Sequence, residues 1–213
     1  MPRLPFWFWV MTIPLSVLIV ANTLPYFTLS AQEPFLQEKG TLVSSPTWRI
    51  SFYYHLAGAS VCLLLGPVLL SAWALRRSRR LHRWLGWTYV SAVLCCAAPS
   101  GIYLSLYAKG GLPGQIGFLI SGVAWFATTW AGLTAVRQGR LREHGILMVW
   151  SYALAWSAVG FRVFHLTLHE LAVDREVNYV LSLWLSLLAS VAVALYATRS
   201  PNRLPATPLG VNP

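Results

Sequence analysis

The chain has 213 residues, of which 56% are hydrophobic and only 10% charged, and its mean hydropathy is +0.57. A soluble domain of that size needs far more polar surface, so water is excluded as its main solvent. The formal net charge of +10 does not point to nucleic acid, because the basic residues sit in short segments beside apolar stretches, where membrane orientation and anionic lipid headgroups account for them.

In chain order, the first apolar stretch covers residues 5–24, with Trp7 and Trp9 near its start, where amphipathic rings favour the headgroup zone. Its apolar part exceeds the roughly 7–15-residue core of a signal peptide and no small-x-small cleavage site follows, so it reads as a retained anchor. Residues 25–49 carry Glu33, Pro34, Glu38 and Pro46 and read as a polar external loop. A second span is predicted over 50–75, ending in Arg76-Arg77-Ser78-Arg79-Arg80, and a third over 84–108. Pro99-Ser100-Gly101 interrupts the third span and predicts a kink whose freed carbonyl needs a partner from a neighbouring helix.

The turn 109–114 is external and returns the chain into a fourth span over 116–136. A fifth span is predicted over 145–164, after a basic segment holding Arg137, Arg140 and Arg142, and a sixth over 179–198. Pro201, Pro205, Pro208 and Pro213 mark 199–213 as a disordered cytoplasmic tail. Counted by side, one set of loops holds eleven basic residues and one acidic, whereas the other holds four basic and five acidic. Because cytoplasmic loops collect Lys and Arg, this predicts an all-α bundle of six transmembrane helices with both termini cytoplasmic.

Cys62, Cys95 and Cys96 all fall inside spans and indicate no disulfide framework. Small residues recur at four-residue spacing, as in Gly58, Cys62 and Gly66, in Gly117 and Ser121, and in Ala124 and Thr128. Such faces let helices approach closely in lipid, either within one bundle or between copies.

Any chemistry must come from the ionisable groups in or beside the spans: His55, His82, His144, Arg162, His165 and His169. His82 and His144 form an inner layer, and His55, His165 and His169 an outer one. Imidazoles from two helices are what axial ligation of haem b requires, and arginines such as Arg83 and Arg162 suit its propionates. His82 with His144, and His55 with either His165 or His169, would then hold two stacked haems, a layout similar to cytochrome b561-type electron carriers. Against this stands the simpler assignment of His82 and His144 as residues that cap their helices and contact lipid phosphate. Arg162, His165 and His169 fall at i, i+3 and i+7, which is one helical face if the fifth helix continues past Phe164. With His55 from the second span, His165 and His169 offer three imidazoles for a Cu or Zn ion, with Glu170 and Asp174 as hydrogen-bonding support. Arg162 itself either snorkels or marks a buried polar contact. No phosphate loop, nucleophile elbow or buried carboxylate pair is present, which argues against hydrolase chemistry.

The block Leu81-His82-Arg83-Trp84-Leu85-Gly86, with Ser100-Gly101, His144, the run 148–154 and Arg162, resembles an uncharacterised bacterial family of predicted multi-span membrane proteins known as a domain of unknown function. The resemblance runs from about residue 52 to 162 and implies a bacterial inner-membrane location, with His55, His82 and His144 as the histidines carried over. Trp150 and Gly145 stand where the family usually places basic residues, which weakens an inner anion site. Three functions remain in contention: a haem- or metal-binding redox component, a cofactor-free accessory subunit packed against membrane protein partners, and a small-molecule transporter.

Overall fold

The computed structural model describes residues 6–28, 33–71 and 76–199. Arg3, residues 72–75 at the predicted end of the second span, and the predicted disordered tail beyond Arg199 lie outside the described residues. The chain forms helices α1 (Phe6–Thr23), α2 (Pro34–Lys39), α3 (Pro46–Leu70), α4 (Arg79–Ser91), α5 (Ala98–Ser105), α6 (Gly111–Arg137), α7 (Leu141–Glu170) and α8 (Arg175–Arg199). Short 3-10 segments, Leu24–Thr28 and Gly40–Ser44, flank α2, and a π-helical segment, Ala92–Ala97, joins α4 to α5. No strand occurs among the described residues.

Six segments are long and apolar enough to cross a membrane: Trp9–Thr28, Pro46–Leu70, Arg79–Ser105, Gly111–Arg137, Leu141–Glu170 and Arg175–Arg199. They alternate in direction, so the loops rich in arginine share one end of the bundle, here the basic end, and the remaining loops share the far end. Helix starts are set locally by side chains that take up free backbone N–H groups. Ser45 Oγ accepts from Trp48 N, Ser78 Oγ accepts from Arg80 N and Leu81 N, and Asp174 Oδ1 accepts from Glu176 N and Val177 N. Ser78 therefore starts α4 at Arg79, five residues before the predicted start at Trp84, and draws His82 into the helix.

The bundle is held by close approach rather than by apolar burial alone, since lipid is as apolar as leucine. A Cβ on Gly58 would stand 2.9 Å from Ala97 N and 3.0 Å from Ala92 O, so α3 lies directly on the π-helical backbone. A Cβ on Gly66 would run into the Tyr152 ring of α7. The predicted kink is a π-helical turn followed by Pro99, and two carbonyls of that turn accept from side chains. His55 Nδ1 of α3 donates to Ala97 O at 2.8 Å, while Ser100 Oγ donates to Cys96 O and to Ala97 O. All three cysteines are free.

The segment predicted as an open polar loop at the far end is instead a docked cap. Leu36 of α2 packs with Trp48 and Phe52 of α3, at 4%, 2% and 9% exposure. Phe52 stacks on Trp48 and on Phe35, with ring centroids 5.3 and 5.7 Å apart. Lys39 Nζ donates to Tyr107 O at 2.6 Å, and Glu38 pairs with Lys109. The Lys109 hydrogen bond holds the Glu38 carboxyl below the usual carboxylate range, and partial burial pushes the Lys39 ammonium below the usual lysine value. The reason for docking is compositional: apolar side chains interspersed among the charges of 33–48 have an aromatic surface on α3 and α5 to cover.

Candidate functional site

At the basic end, His82 and His144 are each the fourth residue of their helices, α4 and α7. Neither is the helix cap, which is Ser78 for α4 and Arg140 for α7. The two imidazoles lie within electrostatic reach of one another. His144 Nδ1 sits 2.9 Å from the Gly132 carbonyl of α6, an acceptor only, so Nδ1 carries the hydrogen and Nε2 of the neutral ring presents its lone pair. That is the arrangement in which a ligating histidine is oriented by its second nitrogen. His82 Nδ1 is buried without a hydrogen-bond partner among the described residues. Arg83 is exposed beside it, and Arg137 lies over the Trp87 ring, 5.4 Å from its centroid.

Seven residues further along both helices, and therefore on the same faces, stand Tyr89 and Ser151. Tyr89 Oη is 3.0 Å from Ser151 Oγ, and Ser151 Oγ is 2.7 Å from Thr129 Oγ1 of α6. All three residues are buried, and the Cys62 thiol points to the Tyr89 carbonyl at 3.9 Å. This polar network was not among the residues singled out from the sequence. The signal that could have found it is the seven-residue offset of a tyrosine and a serine from two histidines.

The far half of the membrane-spanning length holds His55, Arg162 and Tyr26. His55, the tenth residue of α3, is fixed by the Ala97 carbonyl, and the space for its ring exists because position 101 is glycine: a Cβ there would lie 2.9 Å from His55 Nδ1 and Cε1. Arg162 of α7 donates through Nη1 to its own Ala158 carbonyl at 3.0 Å and keeps exposed surface. It lies within electrostatic reach of both His55 and the Tyr26 hydroxyl. The ion pairs among the described residues are Lys109 with Glu38 and Arg140 with Glu143, so no carboxylate neutralises Arg162.

Helix α7 does continue past Phe164, as the shared face of Arg162, His165 and His169 requires, but the imidazoles do not converge. His165 stacks on Phe161 at 5.6 Å and meets the edge of Tyr179 at 6.4 Å, which turns it toward α8 rather than toward His55. Its Nδ1 is buried without a hydrogen-bond partner among the described residues. His169 and Glu170 are exposed at the helix end, and Asp174 is committed to capping α8. Among the described residues no three His, Cys, Asp or Glu side chains come together as a metal cage needs, so His55, His165 and His169 remain separate.

The fold and its two levels of ionisable groups define a multi-span helical membrane protein. The chain belongs to the family described as predicted membrane protein (DUF2306), which matches residues 52–198 and so takes in five of the six spans. His55, His82, His144 and Arg162 fall inside the match and Tyr26 outside it. Comparison with curated proteins and with solved structures finds no match.

Proposed function

We propose that the protein is a redox component of a bacterial inner membrane that holds a haem b through His82 and His144 at its basic, cytoplasmic end. The observation that carries this reading is two imidazoles on helices that meet two turns further along, through Tyr89 Oη and Ser151 Oγ 3.0 Å apart, one imidazole with its Nε2 lone pair left free by the Gly132 hydrogen bond and the other with a buried ring nitrogen that has no partner among the described residues. Imidazoles presented in this way are haem ligands by chemistry, and bound haem supplies reversible one-electron storage. Arg83 and the neighbouring Arg80 supply cations for the propionates, and the excess of arginine at this end supports its assignment to the cytoplasmic side. Because His165 turns toward α8, the reading calls for one such centre rather than two.

The test is a reduced-minus-oxidised spectrum and elemental analysis of protein purified from bacterial membranes in mild detergent. Soret and α bands with stoichiometric iron are expected, lost in His82→Ala and in His144→Ala but kept in His169→Ala. Copper in place of iron would exchange haem for a copper centre on the same two ligands. A colourless preparation free of iron and copper defeats the proposal.

A further inference from the structure

Several glycines of the bundle sit where a neighbouring helix comes too close for a side chain. A Cβ on Gly66, Gly101 or Gly122 would press on Tyr152, His55 or Ile102 of another helix. Gly86 of α4 is different, because a Cβ there would meet nothing within 4 Å among the described residues. Yet Gly86 does not stand on the lipid side. It follows His82 by four residues and precedes Tyr89 and Val90 by three and four, which places it on the inward face of α4, where Tyr89 and Val90 are buried. The exposed residues around it, Arg83, Trp84, Trp87 and Thr88, lie off that face. Glycine weakens a helix interior relative to alanine, and at this position no close helix packing offsets the loss.

The open space has defined limits. Tyr89 Oη and Ser151 Oγ, 3.0 Å apart, tie α4 to α7 seven residues past His82 and His144. The position one turn past each histidine lies between that tie and the imidazoles. On α4 it is Gly86, with no side chain, and on α7 it is Met148, whose methyl group is turned onto Gly132 of α6. A ligand that uses this interval reaches roughly 6 Å deeper than His82, is thin enough to lie between two tied helices, and is apolar at its inner edge. A bare metal ion needs only the ring nitrogens and gives no reason for a glycine one turn away. A flat macrocycle does: its metal takes the imidazoles, its charged edge reaches the arginines at the start of α4, and its apolar edge lies on the bare backbone at Gly86.

We infer that Gly86 is the contact for the face of a planar macrocycle held by His82 and His144, and that it selects such a ring over a bare ion. This rests on the proposed histidine pair and narrows its ligand to a porphyrin. Haemin titrated into the full chain, purified in mild detergent from haem-depleted cells, tests it through the Soret band. The native chain is expected to bind one haemin, Gly86→Leu about a hundredfold more weakly, the effect of forcing a leucine into a filled site, and Gly86→Ala a few-fold more weakly. Gly145→Ala leaves the affinity unchanged. Thermal unfolding of the haem-free chains is expected to be no lower in either Gly86 variant, since the added atoms meet open space. Equal haemin affinity in Gly86→Leu and the native chain overturns the inference and leaves the histidine pair standing, as does copper bound by the pair without any Soret band. A haem-free Gly86→Leu chain less stable than the native one also overturns it, because the protein itself would then fill the space. A native chain that binds neither haemin nor copper takes down the pair and this inference together.

Discussion

The two polar levels of the bundle use histidine differently. At the basic end, His82 and His144 stand in the first turns of their helices, close to the headgroup zone, and the carbonyl that orients His144 belongs to a regular helix near its end. In the far half, His55 donates to the Ala97 carbonyl at the junction between the π-helical turn and the helix that carries Pro99. There the imidazole ties α3 to the backbone of the neighbouring span. A backbone group without a partner costs little where water reaches it and much where only hydrocarbon does. One residue type is thus a replaceable side chain at one level and part of the fold at the other.

The largest expected effect probes the surface on which the far level is built. Gly58→Val pushes side-chain atoms into the backbone at Ala92 and Ala97, which cannot yield without dismantling the π-helical turn, and should lower stability by about 3 kcal/mol in detergent unfolding. Gly145 near the basic end has open space, and Gly145→Ala should be neutral or stabilising by up to about 1 kcal/mol through helix propensity. Similar losses at the two positions would erase the distinction between the levels.

A smaller effect compares the histidines directly. His55→Leu removes a side-chain hydrogen bond to the Ala97 carbonyl within the spanning length and should cost about 2 kcal/mol, whereas His144→Leu, whose carbonyl partner lies near the bundle end, should cost about 1 kcal/mol. Thermal unfolding of both variants in one detergent decides the order, and a reversed order would mean that His144 is the structural residue.

The smallest effect concerns the cap. The folded-state pKa of Glu38 lies below its ordinary value of 4.5, so the Lys109 pair adds stability above that value and loses it as the pH falls through the lowered folded-state pKa. Both partners are about 40% exposed, which screens the contribution to well under 1 kcal/mol. Hydrogen exchange over Leu36 and Gly40–Ser44 should therefore speed up modestly below pH 4.5, with no change in the spanning helices. A Glu38→Gln chain that keeps the same pH response would remove the pair as its cause.

Much of this architecture was legible in the linear order of residues. Six apolar lengths separated by charged segments leave few options for a chain that must satisfy every backbone group in lipid, and Pro99 announced both a kink and the need for a partner to repair it. Helix periodicity likewise put Arg162, His165 and His169 on one face. The sequence did not reveal that 33–48 folds back as a cap, because its charges suggest a solvated loop while its aromatic side chains count only once α3 and α5 offer them a surface. Nor did it reveal that Tyr89, Ser151 and Thr129 meet, since the seven-residue offsets of Tyr89 and Ser151 from His82 and His144 put them on the same faces but do not say which helices face each other.

Composition and periodicity by themselves determined that the chain is a six-span helical protein with most of its arginines gathered at one end, because length, hydropathy and charge are properties each segment has alone. Which histidines meet was decided only by tertiary structure. The glycines at 58, 66 and 101 set how near the helices come and how they are rotated, and that rotation turned His55 toward Ala97, His144 toward Gly132 and His165 toward Tyr179. Side-chain direction is a property of pairs of helices, and no single segment contains it.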